Sequence, residues 1–236
     1  MKKEHVKRLI ENFGKPYSEV LGINLSSGKD EEIFKWFLAS ILFGAPITEK
    51  SVIKTYKCLQ KCNVLTPDKI LNTDWDGLVK ILDEGSYTRY DFKTADKLLE
   101  VMQNLKQQYG GSITKLHNET SDSHDLEEKL KKLGKGIGNV TVSIFLRELR
   151  NLWMKANPKP TSLVMLAAQN LGIIEKQTSM DDASKQLKEF WRKNRVAGKF
   201  YINFETALLR LGKDFCRKRK CTTCMFKNEC LSTVAP

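Results

Sequence analysis

The chain contains no apolar run approaching the ~18 residues that a membrane-spanning helix requires. Its best stretch, Phe37 to Ile47, is short and interrupted by Ser40, Gly44 and Pro46. No membrane partner is expected. An uncharged segment near the start is also missing. The opening "MKKEHVKRLIENF" carries charges throughout, so it does not read as a secretory signal. Repeats and low-complexity tracts are absent as well. Acids are scarce relative to bases, with 28 Asp plus Glu against 40 Lys plus Arg and a net charge of +12. Such a balance suits either a solvated basic surface or a polyanion partner, since cations that neutralise phosphates release counterions. The shortage is sharpest from Trp191 to Lys220, where ten Lys or Arg face only two acids, Glu205 and Asp214.

What is present is a chain of 236 residues, 41% hydrophobic, enough for one large domain or two small ones. A cytoplasmic protein is expected, and for such a compartment structural disulfides are not. Cys58 and Cys62, four apart in "SVIKTYKCLQKC", read as buried or half-buried thiols on a helix.

Helical periodicity dominates. "EEIFKWFLASILFG" places residues 33, 34, 37, 38, 41 and 42 on one broad apolar face. "DWDGLVKILDEG" reads as a short helix ending at Gly85. "FKTADKLLEVMQNLKQQYGG" carries an apolar stripe and stops at Gly110-Gly111. "DLEEKLKKLG" aligns Leu126, Leu130 and Leu133. "NVTVSIFLRELRNLW" is rich in β-branched residues, yet its length and place between helices predict a helix. "PTSLVMLAAQNLG" and "SMDDASKQLKEFWRKNR" read as two more, the second opened by Ser179-x-x-Asp182, close to a capping box. "FETALLRLGKDF" leads into the cysteines. "LHNETSDSHD" is the most polar linker. The fold class expected is all-α.

Two motifs carry chemistry. In "KLKKLGKGIGNVTVSIFL" a short amphipathic helix runs into Gly134-Lys135-Gly136-Ile137-Gly138, and a second helix begins at Asn139. The glycines permit positive φ and close backbone approach. Ile137 can pin the helices, and the N–H groups of Gly138 and Asn139 open a helix whose dipole favours an anion. This is the helix-hairpin-helix pattern, which grips a DNA phosphate without reading sequence. A plain helix hairpin with a Gly-rich turn is the bland alternative. The second motif is "CRKRKCTTCMFKNEC". Cys216, Cys221, Cys224 and Cys230 are spaced C-x4-C-x2-C-x5-C within fifteen residues. Four thiolates suit zinc or an iron–sulfur cluster. Zinc sites more often pair two C-x2-C knuckles, so the compact run favours [4Fe–4S].

A hairpin followed by helices and four C-terminal cysteines resembles the endonuclease III family of DNA glycosylases. That family spaces its cluster ligands C-x6-C-x2-C-x5-C. The last two gaps match, and the first is two residues shorter here. The resemblance extends over most of the chain. "ILFGAPITEKSVIKTY" looks like the family's first barrel helices, "GSYTRYDFKTADKLL" like its G-x-Y-x-x-K-A-x-x-L segment. "LLRLGKDFC" is similar to L-x-x-H-G-x-x-x-C, with Leu211 in place of His. The resemblance implies two helical lobes. A six-helix barrel with the helix-hairpin-helix would span 31–148. An iron–sulfur cluster lobe would combine 1–30 and 149–236. It also implies DNA at a cleft between them, base flipping, a monomer, and a nucleoid-associated location.

Two family residues are missing. The family's Leu-Pro-Gly-Val-Gly-Arg-Lys-Thr-Ala motif supplies a Lys that forms a Schiff base in bifunctional members. Val140 stands there, so no lyase activity of that kind is expected. Lys135, at the Pro position, is expected to face phosphate. The family's Asp, in Val-Asp-Thr-His, falls over Thr161-Ser162-Leu163, where no carboxylate exists. The intercalating Gln of the first barrel loop is replaced at Ala45-Pro46. The catalytic candidates are Thr161 and Ser162, which can position water, and Glu205, read chiefly as a surface charge. Asp181 and Asp182 read as helix-capping residues. Trp36, Tyr87 and Tyr90 are conceivable stacking residues whose ordinary fate is core packing. The implied activity is a monofunctional DNA glycosylase of base excision repair, acting on lesion-bearing duplex or single strands. Uracil and deaminated or alkylated bases, whose glycosidic bonds are labile, need the least catalytic help. A catalytically inactive lesion- or structure-binding protein is the alternative. A redox-sensing DNA binder is a third reading.

Overall fold

A computed structural model describes residues 1–232. They are helical, with no strand among the described residues. In chain order the helices are α1 (Lys3–Phe13), α2 (Tyr17–Val20), α3 (Asp30–Phe43), α4 (Glu49–Lys61), α5 (Pro67–Glu84), α6 (Asp91–Tyr109), α7 (Ile113–Asn118), α8 (Ser123–Lys131), α9 (Asn139–Leu149), α10 (Ser162–Asn170), α11 (Met180–Lys193) and α12 (Tyr201–Leu211). A 3₁₀ turn covers Leu25–Ser27 and another Lys227–Glu229. A π turn, Gly212–Cys216, continues α12.

The chain divides into two compact units, Ser18–Asn157 and Met1–Tyr17 with Pro158 onward. The expected lobes broke at 30/31 and 148/149, and the structure moves both boundaries. The reasons are local. The Ser18 N–H donates to the buried Glu148 carboxylate at 3.0 Å, and the Leu25–Ser27 turn packs on α3. Beyond α9, the buried Trp153 ring meets Phe145 edge-on and stacks on His117 at 4.2 Å. Residues 18–30 and 149–157 therefore belong with α3 and α9. Residues 233–236 of the expected cluster lobe lie outside the described residues.

In the larger unit α3 is buried on almost every side, from Ile33 through Leu42. It packs against α4, α7 and α9. The Trp36 indole donates to the Phe145 carbonyl at 3.0 Å, and the Phe37 and Phe145 rings meet edge-on at 5.1 Å. Tyr87 is fully buried, its hydroxyl donating to the Leu42 carbonyl at 2.6 Å. Trp36 and Tyr87 are thus core residues. The short helix expected from Asp74 is the second half of α5. Thr66 and Pro67 start a first half, and Asp74, at φ 57°, kinks the chain and accepts from Gly77 N–H at 3.0 Å. The polar "LHNETSDSHD" is mostly helix rather than linker, because Asp122 caps α8 and α7 runs to Asn118. α6 ends at Gly110, at φ 64°, as the double glycine predicts.

The smaller unit is built on α12, whose residues Asn203 to Leu209 are all buried. α1, α10 and α11 pack around it. The Asn203 amide donates to the Gly14 carbonyl at 3.0 Å, and Arg210 donates to the carbonyls of Phe13 and Lys15. These bonds fasten the first helix of the chain to one of the last. Ser179 caps α11 as expected, accepting from Asp182 N–H.

Candidate nucleic-acid interface and metal centre

The hairpin forms as the sequence predicts. α8 buries Leu126 and Leu130, Leu133 follows them into the core, and Ile137 is only 4% exposed between the two helices. Gly136 adopts φ +82°, a region that disfavours any side chain. Gly138 is the N-cap of α9, and no side chain caps that end. Lys135, Gly136, Gly138 and Asn139 are exposed, so the backbone of the turn and the first turn of α9 face solvent. A chain anion placed there would meet uncapped N–H groups at a positive helix end.

The platform beneath this turn is α6, which sequence reasoning did not assign to the site. Glu100 accepts the Lys135 backbone N–H at 3.0 Å, and the Asn104 amide donates to the Leu133 carbonyl at 2.9 Å. The Val101 side chain fills the space beside Gly134. A Cβ on Gly136 would fall 2.7 Å from Lys97 Cε and 3.1 Å from its Nζ. Burial holds the Lys97 ammonium below the usual lysine range. The spacing 97, 100, 101, 104 is one helical face, so the signal was present as periodicity. What the sequence does not state is that this face meets the turn.

Val140 is 63% exposed in the first turn of α9. The position is thus accessible, and it offers no amine. Thr161 is the half-buried N-cap of α10, its hydroxyl accepting from Val164 N–H at 3.4 Å. Ser162 is exposed at the first helical position. Glu205 is 2% exposed, which overturns its reading as a surface charge. Its helix is buried on nearly all sides, and i+3 and i+4 from Glu205 are the core residues Leu208 and Leu209. Asp182 stands in the capped first turn of α11, and Asp181 pairs with Lys159 at 3.0 Å. Tyr90 is half-buried at the start of α6, with the Arg89 guanidinium 5.5 Å from its ring centre.

Cys58 is half-buried, but Cys62 is exposed, contrary to its expected burial. α4 ends at Lys61, and Asn63 turns away at φ 58°, leaving Cys62 on the cap rather than on the packed face.

The other four cysteines are half-buried and free of disulfides. Tight turns organise them. Arg219 N–H returns to the Cys216 carbonyl, with Arg219 at φ 52°; Cys224 N–H returns to Cys221 at 3.2 Å, and Lys227 N–H to Cys224 at 3.2 Å. Burial pushes the Cys216 thiol up, opposed by a hydrogen bond with Asn170, and the three other thiols add to the rise. Cys224 is raised likewise by burial, with a Phe226 backbone hydrogen bond opposing. Cys216 and Cys224 thus each lie within electrostatic range of Cys221 and Cys230. Among the described residues, no three His, Cys, Asp or Glu side chains converge as a formed metal site. The donor chemistry nevertheless fits a thiolate-held group: soft ligands, no disulfide, and a backbone hydrogen bond to sulfur. Arg217 to Lys220, all exposed, place four positive charges beside it.

This segment is held by α1. Phe226 is fully buried, Phe13 lies 5.6 Å from Phe215 and 6.4 Å from Phe226, and the Arg8 guanidinium sits 4.8 Å from the Phe226 ring. Arg8 also donates to the Met225 carbonyl at 3.1 Å and to Glu229 at 2.7 Å. No helix is long and apolar enough to cross a membrane among the described residues. Compared with known proteins, the chain matches no protein-family model and no curated protein.

Proposed function

We propose that the chain is a monofunctional DNA glycosylase of base excision repair that flips a damaged base from the helix and hydrolyses its glycosidic bond. The observation that carries this reading is the hairpin turn, exposed and uncapped, in a protein of net charge +12. The partner is DNA, duplex or single-stranded, and the protein acts as a monomer in the nucleoid. The turn from Gly134 to Asn139 holds phosphate and positions the strand. The exposed Val140 supports the absence of Schiff-base lyase chemistry. Uracil, hypoxanthine and alkylated bases leave most readily, so they are the substrates that an oriented water and tight base binding would serve. Cys216, Cys221, Cys224 and Cys230 would hold a [4Fe–4S] cluster, with zinc the alternative. When bound, that group supplies a cross-link for the loop and a one-electron centre.

One observation favours a second reading, a non-catalytic lesion- or structure-binding protein. The Thr161 hydroxyl is engaged as a helix cap, Ser162 carries no charge, and Glu205 is buried. None of them is an exposed carboxylate.

A lesion panel separates the readings. The protein is incubated with oligonucleotides carrying uracil, hypoxanthine, alkylated adenine, 8-oxoguanine, thymine glycol or an abasic site. Each product is treated with alkali or with borohydride. Alkali-dependent breaks at one lesion, without a trapped adduct, are expected. A borohydride-trapped adduct would overturn the absence of lyase chemistry. Silence across the panel with DNA still bound would leave the binding protein.

A further inference from the structure

We infer that Lys97, on α6, is a DNA-phosphate ligand of the hairpin turn, an assignment that rests on the DNA-binding reading above. The side chain runs under the turn. A Cβ on Gly136 would lie 2.7 Å from Lys97 Cε and 3.1 Å from Nζ, and Gly136 itself is exposed. The ammonium therefore emerges at the edge of the turn rather than in free solvent. Its neighbour Glu100, one helical turn on, is committed to the Lys135 backbone N–H at 3.0 Å. No ion pair or hydrogen bond joins Lys97 to any described residue, and burial is the cause of its lowered pKa. A half-buried cation without a partner costs stability unless something supplies the opposite charge.

A phosphodiester at the turn is that charge. The site then has two kinds of contact, the backbone of the turn and one ammonium from a neighbouring helix. The packed stem matters as much as the charge. Lys97 loses little further freedom on binding, because its chain is already held against the glycine. The same geometry gives Gly136 a second role besides its positive φ: any side chain there would displace the ammonium. Lys135, one residue earlier, is a solvent-exposed cation, whereas Lys97 is half-buried, so the two lysines differ in kind.

The test is duplex binding by fluorescence anisotropy across a salt series, with melting temperature measured in parallel. Lys97→Met keeps the stem and removes the charge, and Lys97→Arg keeps a charge. For Lys97→Met we expect several-fold weaker binding and a slope of log affinity against log salt reduced by about one. We expect Lys97→Arg to restore the slope. The Lys97→Met melting temperature should be equal or higher, because an unpaired charge has left a half-buried place. Wild-type affinity and slope in Lys97→Met would overturn the inference. So would weaker binding with an unchanged slope and a lower melting temperature, since that marks a structural strut. If Lys135→Met weakens binding while Lys97→Met does not, the DNA-binding reading stands and this inference fails alone. If the wild-type chain does not bind DNA, both fall.

Discussion

At the scale of single residues, Gly136 and Gly138 look interchangeable in the sequence and are not so in the fold. Gly136 is at φ +82° with Lys97 against it, whereas Gly138 is extended and has no atom within 4 Å of an added Cβ. Left-handed backbone costs a residue with a Cβ about 1–2 kcal/mol. Gly136→Ala should therefore lower the melting temperature by about 2–8 °C, taking roughly 2–4 °C per kcal/mol for a chain of this size. Gly138→Ser should not lower it, because serine is a good N-cap in open space. Thermal melts of the two variants side by side would check this, and equal losses would refute it. The same scale exposes the limits of reading side chains from sequence. Trp36, on the apolar face of α3, and Tyr87, in the connection between α5 and α6, were legible as core because large aromatics are ordinarily buried. Glu205 was not read correctly, because the frequency with which glutamates are exposed outweighed its i+3 and i+4 neighbours Leu208 and Leu209. Lys97 carried no sign in its own neighbourhood, and its meaning comes from a turn almost forty residues away.

At the scale of elements, the helices were legible where periodicity and caps agree. α6 ends at its double glycine, and α11 begins at its serine. α9 is helical despite Val140, Thr141, Val142 and Ile144, because burial of Val142, Phe145, Leu146 and Leu149 against the rest of its unit outweighs intrinsic propensity. The first half of α5 was missed because its signal, Thr66 followed by Pro67, opens only a brief run before the Asp74 kink. α7 was missed for a similar reason: six residues give too few turns for a periodic pattern. That short helix nevertheless carries a pH-sensitive contact. The His117 ring stacks on the buried Trp153 at 4.2 Å, its Nε2 is buried without a partner, and Lys155 donates to the His117 carbonyl at 2.8 Å. Burial lowers the His117 pKa, a hydrogen bond with Asn118 opposes, and the Lys155 charge adds to the fall. The folded state thus disfavours the charged ring. Its contribution to stability is complete above the ordinary histidine range and is lost as pH falls through that range. Titration of the ring by NMR should give a midpoint below ~6.5, and His117→Asn should flatten the fall of melting temperature between about pH 7 and 5. An ordinary midpoint and an unchanged profile would refute the assignment.

At the scale of the whole molecule, all-α character was legible, whereas the boundaries of the units were not. Ser18, bonded to Glu148, and Trp153, stacked on His117, decide those boundaries by long-range contacts that no local pattern announces. The four-cysteine segment stood apart in the sequence by its spacing. Its coupling to the other end of the chain was not, and that coupling yields a test. α1 reaches the cysteine segment through Phe13 and Arg8, and Arg8 touches the Phe226 ring, the Met225 carbonyl and Glu229 at once. Apart from that segment, α1 is held mainly by α12. A group bound by the four cysteines would close a short loop and fix Phe215 and Phe226 beneath Phe13. Its loss would free them, and α1 would lose the Phe13 and Arg8 contacts that tie it to the segment. Cys224→Ser should therefore abolish bound metal, read as iron and sulfide content for a cluster or as zinc content otherwise. In hydrogen exchange it should deprotect Lys3–Phe13 together with the cysteine segment. The α8–α9 hairpin should keep its protection, because it is fastened to α6 by Glu100, Val101 and Asn104 within the other unit. Metal loss without deprotection of α1 would mean that aromatic packing alone holds the segment. Deprotection spreading equally to the hairpin would mean that the two compact units unfold as one.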